Sequence, residues 1–307
     1  MFKELEEYYK VISSLSPHTI KSYGASIDSF FEYLNIKSFD DLKNVKTEQV
    51  SDWMLHLSGN PNAKNADTAK SSANAKFRVI KAFYNWLIEM GYIESSPCDA
   101  VRRFREAKNV KTYLTEEEWS SMLLSCKNLK QRLMLAMVLY TGLRRQELVN
   151  IKIKDIAGDK LIVHGKGRKE RALILNPYVA DLIEQYLLTR KDKCDHLFVS
   201  KKSGFGNYES GEAHPVSEES FRQTVKRAAE NAGIDETRIE KIAPHTLRRT
   251  FAVNLAKNYG ASSFQIQKAL GHESVRTTEI YLSGAGAEIA DDVMMKQKPP
   301  SMIGELF

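Results

Sequence analysis

Two hydrophobic rhythms divide this chain, and a short basic stretch with neither rhythm lies between them. In the first block, Ile20, Tyr23, Ile27, Phe30, Phe31 and Leu34 form one apolar stripe, and Phe77, Ile80, Phe83, Tyr84, Leu87 and Ile88 form a wider one. Steps of three and four residues place such side chains on one face of an α-helix. Ser16-Pro17 predicts where the first stripe begins. A serine N-cap satisfies an orphan backbone N–H, and proline suits the first helical position. A shorter helix is expected over Thr47 to Leu57, broken by Gly59-Asn60-Pro61. The polar, small residues from Asn60 to Ser72 read as a loop or a frayed helix start, and Gly91 ends the following helix. Residues 1–105 are thus expected to form a small helical domain.

The basic stretch carries Arg102, Arg103, Arg105, Lys108 and Lys111 with little apolar periodicity. It suits a solvated linker, placed at 106–111, or a linker lying along a polyanion. Thr115 with Glu118 then has the form of a capping box, which starts a second domain on a helix. Another helix is expected from about Gln131 to Tyr140, interrupted at Thr141-Gly142. Beyond it the rhythm changes. Lys160 to Val163 and Arg171 to Ile174 are short β-like runs around the turn Gly165-Lys166-Gly167. Helices are expected again over Pro177–Leu188, Ser217–Asn231, Pro244–Lys257 and Ser262–Leu270. The fold class is mainly α with a small β-sheet (α+β): a helical N-terminal domain followed by a mixed α/β domain.

The formal net charge of +6 fits a polyanionic partner, since Lys and Arg displace counterions from phosphates. Met1 to Lys10 is charged and lacks an apolar core, so no secretory signal is expected. No apolar run is long enough to span a bilayer, so a cytoplasmic protein with no membrane partner is expected. Cys98, Cys126 and Cys194 are far apart and make no Cys-x-x-Cys pair, which indicates neither a zinc site nor a disulfide framework. His245 and His272 have no third ligand at metal spacing, and Gly165-Lys166-Gly167 is not a phosphate-binding Walker loop. No cofactor and no metal are expected.

Five segments carry side chains suited to phosphoryl transfer: Thr141 to Arg144 with Glu147; Gly165 to Gly167 with Lys169 to Arg171; His245 to Arg248; Leu270 to His272; and Tyr281. Each alone has an ordinary reading. Tyr281 in a helix is usually a packing residue, an arginine usually a surface or salt-bridge residue, and Gly-Lys-Gly usually a turn. Together they meet what breaking a phosphodiester without a metal requires. Arg144 and Arg248 could hold the non-bridging oxygens, because a guanidinium forks onto two oxygens and stays charged. Tyr281 could attack in line and store the bond energy as a phosphotyrosine. Its phenol is mostly protonated at neutral pH, so a base is needed, for which His245 is a candidate. Lys166, on a turn between strands, could protonate the departing oxygen. His272, after Gly271, which is expected to end a helix, could donate a further hydrogen bond. His245 and Arg248 are three apart and share a helical face, and Pro244 points the positive end of that helix toward an anion.

The segments TGLRRQEL (141–148), GKGRKER (165–171), HTLRRTFA (245–252) and LGHESVRTTEIYL (270–282) resemble the tyrosine recombinase family, of phage-integrase and Xer-like type, in family order. The resemblance spans about residues 112–285, and more weakly 15–105 as a core-binding domain. It implies a catalytic domain at 112–285 that closes with the N-terminal domain as a C-shaped clamp on DNA. It implies Arg144, Lys166, His245, Arg248, His272 and Tyr281 as the catalytic set, with Tyr281 the nucleophile, and Glu147 and Asp155 supporting the first arginine and its neighbours. It implies double-stranded DNA carrying specific recombination sites as partner, a 3′-phosphotyrosine, a Holliday junction and a homotetramer on synapsed DNA. The tail, 286–307, is then expected to dock on a neighbouring protomer; removing residues after Ser283 should leave DNA binding and weaken synapsis. The biological task is either integration and excision of a mobile element or resolution of DNA dimers, and the chain leaves little room for a further arm-binding domain. Two other functions use the same features: a nicking–closing enzyme of the type IB topoisomerase kind, and a DNA-binding protein without catalysis. One departure stands at Arg249, where many members have histidine.

Overall fold

The computed structural model describes residues 2–105, 112–165, 170–201 and 212–271. The chain divides into two compact units, Met1–Asn109 and Val110–Phe307. Among the described residues it is mostly helical with small antiparallel sheets, and no helix is long and apolar enough to cross a membrane.

The first unit contains α1 (Lys3–Ile12), α2 (Pro17–Leu34), α3 (Phe39–Lys43), α4 (Thr47–Ser58) and α5 (Ala66–Glu89). Ser16 caps α2 as expected, its Oγ accepting from Thr19 N at 3.2 Å, with Pro17 in the first turn. α5 starts within the stretch read as loop or frayed helix. Asn65 Oδ1 accepts from Thr68 N at 2.8 Å, and the small Ala69 and Ala73 are buried. α2 and α4 pack against α5, and Ile27, Phe30, Trp53, Ile80, Phe83 and Leu87 are fully buried between them. α1 and α3 were not expected. α1 buries Leu5, Tyr8 and Ile12, with the Tyr8 ring 4.7 Å from Phe83 and 5.3 Å from Trp86. α3 is held by a Ser38–Asp41 capping box.

The second unit begins with α6 (Glu116–Leu124), where the expected capping box forms: Thr115 N donates to Glu118 Oε2 at 2.8 Å, and Glu118 N to Thr115 Oγ1 at 3.3 Å. α7 (Leu129–Thr141) is buried at every position from Leu133 to Thr141, so its apolar residues surround it instead of forming a stripe. α9 (Pro177–Leu188) and α12 (Pro244–Tyr259) pack against it. Between α7 and α9 lie α8 (Arg145–Val149), a single 3₁₀ turn at Ile153–Asp155, and the sheet β1 (Ile156–Ala157), β2 (Lys160–His164), β3 (Glu170–Ile174). The strands run antiparallel in that order, with His164 opposite Glu170 and Val163 opposite Arg171. Leu161, Val163 and Leu173 alternate inward onto the core. A second, two-stranded sheet pairs β4 (Val199–Ser200) with β5 (His214–Pro215). The helices α10 (Glu218–Asn231), α11 (Glu236–Ile239) and α13 (Ser263–Leu270) complete the described chain. α13 packs on α12 through Phe251, Leu255, Ile266 and Leu270. The tail at 286–307 and the linker at 106–111 lie outside the described residues.

Candidate active site

The site is built where α7 ends. Gly142 takes φ +66°, a left-handed conformation that stops the helix. A Cβ there would stand 2.4 Å from Phe251 Cδ1 and 2.8 Å from Leu270 Cδ2, so glycine is required both for the turn and for the approach of α12 and α13. The turn presents Arg144 as the residue preceding α8. Its backbone N–H donates to Glu147 Oε2 at 2.8 Å, and its Nη1 donates to Glu147 Oε1 at 2.8 Å. Its Nη2 donates to the carbonyl of Gly271 at 3.0 Å, across from the end of α13.

Glu147 is the centre of a cluster of arginines. Arg171, from β3, sets Nη1 and Nη2 on its two carboxylate oxygens at 2.9 and 2.8 Å. Arg248, from α12, brings Nη1 to 3.9 Å from Glu147 Oε2. Burial pushes the Glu147 carboxyl up, but the hydrogen bonds and charge of Arg171, together with those of Arg144, outweigh it and hold the carboxyl at about 2. Glu147 is therefore ionised at every working pH. Three guanidinium groups around one carboxylate leave a positive surplus, which is what a phosphate diester would meet.

The arginines are not equally open. The side chain of Arg144 is 39% exposed, that of Arg171 17% and that of Arg248 1%. Arg144 is the outward member. Arg248 lies behind it, donating through Nη1 to the carbonyl of Gly142 at 2.5 Å and through Nη2 to that of Leu270 at 2.8 Å. It thus ties together the two glycine turns that flank the site. Arg249, the departure from the family pattern, is buried as well.

α12 starts at Pro244, after a turn closed by Thr246, whose hydroxyl accepts from Ala243 N and donates to Lys241 O, each at 3.1 Å. His245 is exposed on the first turn of this helix, where the unsatisfied N–H groups and the dipole favour an anion. One helical face therefore runs from exposed His245 to buried Arg248.

The structure brings Arg144, Arg248 and Glu147 together. Lys166, His272 and Tyr281 lie outside the described residues; Gly165 and Gly271, their neighbours in the chain, are described. Asp155 does not stand where the resemblance implied. It is buried, accepts from Lys152 N at 2.9 Å and lies 3.2 Å from His164 Nε2, so it braces the end of β2 and not the first arginine. The hydrogen bond that Asp155 accepts raises the His164 imidazole above its ordinary value, and Glu170, 3.0 Å from Nδ1, adds to this. Sequence reasoning missed Arg171 as a partner of Glu147. The available signal was its register: Arg171 alternates with Leu173 on the inward side of β3, where a charge needs an acid. Among the described residues, one group has the chemistry to hold a metal, Cys194, Asp195 and His196. It shares no residue with the arginine cluster, and Lys152 Nζ already stands 2.6 Å from Asp195 Oδ2.

A helical unit is thus followed by a unit in which one buried carboxylate organises three arginines, an arrangement suited to meeting an anion. Two family descriptions match the chain: "Phage integrase family" over residues 112–287 and "Phage integrase, N-terminal SAM-like domain" over 2–91. The tyrosine recombinase XerC of Caldanaerobacter subterraneus subsp. tengcongensis is 30% identical over 306 residues, covering 92% of this chain and 82% of that one. The tyrosine recombinase XerD of Halalkalibacterium halodurans is 28% identical over 288 residues, covering 89% of each. In fold, the chain is similar to a lambda integrase dimer bound to a COC′ core site, with a TM-score of 0.70 at 18% identity over 91% of this chain and 93% of that one. It is also similar to the XerH site-specific recombinase bound to palindromic difH, at 0.64 and 24% identity over 91% and 80%. The chain belongs to the phage integrase family, the tyrosine-type site-specific recombinases.

Proposed function

We propose that this recombinase cleaves each DNA strand with Tyr281 and holds the scissile phosphate against Arg144, with Arg248 supporting the clamp. The phenol oxygen of Tyr281 attacks phosphorus in line, and the bond from phosphorus to the 5′ oxygen breaks. His245 takes the phenol proton and Lys166 delivers one to the departing 5′ oxygen, so charge does not build up on either. The product is a 3′-phosphotyrosine and a free 5′-hydroxyl. That hydroxyl, from a partner duplex, attacks the phosphotyrosine, releases Tyr281 and reseals the strand. A first pair of exchanges makes a Holliday junction, and the second pair resolves it. His272 donates to a phosphate oxygen. None of these steps needs a metal, because guanidinium groups supply the charge.

The observation that carries this reading is the convergence on Glu147. Arg144, Arg171 and Arg248, from three of the resembling segments, meet around one carboxylate, and Gly271, from the fourth, accepts from Arg144. Partners follow from the same reading. The substrate is double-stranded DNA with specific sites, and the working assembly is a homotetramer that pairs two of them; among the similar solved structures is a lambda integrase tetramer bound to a Holliday junction. Both units, divided near 106–111, take part in holding the duplex. A cytoplasmic location belongs to the same proposal.

The test is covalent capture. Duplexes with a randomised core are incubated with the protein, trapped adducts are sequenced, and the recovered site is rebuilt as a nicked suicide substrate. Wild type should give a protein–DNA adduct at a 3′ phosphate, and Tyr281→Phe none. An adduct on both proteins, or on neither, overturns the assignment. Relaxation of supercoiled plasmid lacking the site would instead favour a nicking–closing enzyme.

A further inference from the structure

We infer that Arg171 is a positioning residue for strand cleavage: it engages both oxygens of Glu147 so that the carboxylate does not neutralise the arginine that faces DNA. The inference rests on the reading of Arg144 as the phosphate clamp and deepens it. Arg171 belongs to none of the six positions assigned to the chemistry.

Three observations converge. The first is the fork. Arg171 meets Glu147 with two parallel N–H···O bonds of 2.9 and 2.8 Å, the geometry in which a guanidinium binds a carboxylate best. Arg144 makes one side-chain bond to the same carboxylate. Arg171 is thus the principal counter-charge of Glu147, and the charge of Arg144 is shared only in part. The Glu147 carboxyl is 6% exposed, so water cannot take over if Arg171 is lost. Its oxygens would then turn to Arg144, already bonded, and to Arg248, already 3.9 Å away. The first is the proposed phosphate clamp and the second supports it.

The second observation is the contact with Gly271. A Cβ on that residue would lie 3.1 Å from Cδ and Nη1 of Arg171 and 3.2 Å from Cζ, so the guanidinium lies flush on the Gly271 backbone. The carbonyl of the same glycine accepts from Arg144 Nη2. Arg171 and Arg144 therefore brace one turn from two sides, directly before His272 in the chain.

The third is the placement of Arg171 on β3. It pairs with Val163 on β2, two residues before Gly165, and β2 and β3 are the strands before and after Lys166 in the chain. The fork to Glu147 on α8 thus links strand β3, which follows the proposed general acid in the chain, to the arginine of the clamp. A lysine at this position would keep the charge and lose the link, since an ammonium cannot fork onto a carboxylate.

The experiment uses the full-length protein, single-turnover adduct formation on the suicide duplex, and equilibrium binding to the intact site measured alongside. Arg171→Ala should slow adduct formation by about 10- to 100-fold and change site affinity by less than about threefold. The double variant R171A/E147Q should cleave faster than R171A, because removing the uncompensated carboxylate charge frees Arg144. A purely structural role predicts the reverse, since the double variant loses two more buried charge-assisted bonds. Should R171A prove unfolded by its circular dichroism, R171K carries the same test: folded and slowed at least about tenfold supports the inference, and folded with the wild-type rate overturns it. A wild-type rate in R171A, or a double variant no faster than R171A, overturns the role of Arg171 alone. Absence of any adduct with wild-type protein overturns the functional reading, and this inference with it.

Discussion

At the scale of single residues, the site depends on positions that carry no chemistry. Gly142 is one. Its φ of +66° and the 2.4 Å approach of Phe251 mean that Gly142→Ala combines left-handed strain with overpacking. A loss of roughly 2–5 kcal/mol in chemical denaturation is expected. A loss below about 1 kcal/mol would show that the helices α12 and α13 can shift to admit a methyl group. Thr250 is another. Its Oγ1 accepts from the buried N–H of Leu114 at 2.9 Å, joining the start of the second unit to the middle of α12. Thr250→Val keeps the shape and leaves that donor without its acceptor, which should cost about 1–3 kcal/mol by the same measurement.

Elements are joined here by charge as much as by packing, and pH reads those joints. The Glu147 carboxyl, which links α8 to β3, sits at about 2 in the folded protein, below its ordinary 4.5. A depressed carboxylate contributes stability that is fully present above about 4.5 and is lost as pH falls toward about 2. Near-ultraviolet circular dichroism during acid unfolding should show this loss, of order 3 kcal/mol, and Glu147→Gln should flatten that part of the profile. His164 behaves with the opposite sign. Its folded value is raised by Asp155 above the ordinary 6.5, so its contribution is present below 6.5 and fades as pH rises through the folded value. An NMR titration of His164 should give a midpoint above 6.5, and Asp155→Asn should lower it. An unchanged midpoint in that variant would show that Glu170 alone holds the imidazole.

For the whole molecule, the consequence is that each unit has its own main core, with a smaller cluster between α12 and α13 in the second. One is centred on Phe30, Trp53 and Phe83, the other on the buried helix α7. Phe30→Ala should cost the first unit about 3–5 kcal/mol. Amide exchange along α7 should be unaffected if the units unfold separately, and raised with it if they unfold together. Affinity for DNA should fall steeply with salt, because phosphate contacts release counterions.

What could be read directly from the chain was local: the stripes of α2 and α5, the caps at Ser16 and Thr115, the hairpin strands around Gly165, and the short motifs that carry the six residues proposed for the chemistry. These depend on neighbours within a few positions, and spacing along the chain reports them. α1 escaped because Leu5, Tyr8 and Ile12 are diluted by Glu4, Glu6, Glu7 and Lys10, and their face makes sense only once Phe83 and Trp86 lie against it. The five-residue α3 is too short to show a period. Only the tertiary structure decided which charge pairs with which. It gave Glu147 to Arg171, 24 residues away, set Arg144 on the Gly271 carbonyl, 127 residues away, buried Arg248 behind both, and turned Asp155 to His164. Which residue types a phosphate site needs is a matter of chemistry and can be written into a sequence. Which of several arginines faces outward is a matter of burial, and it is settled only when the helices and the hairpin pack.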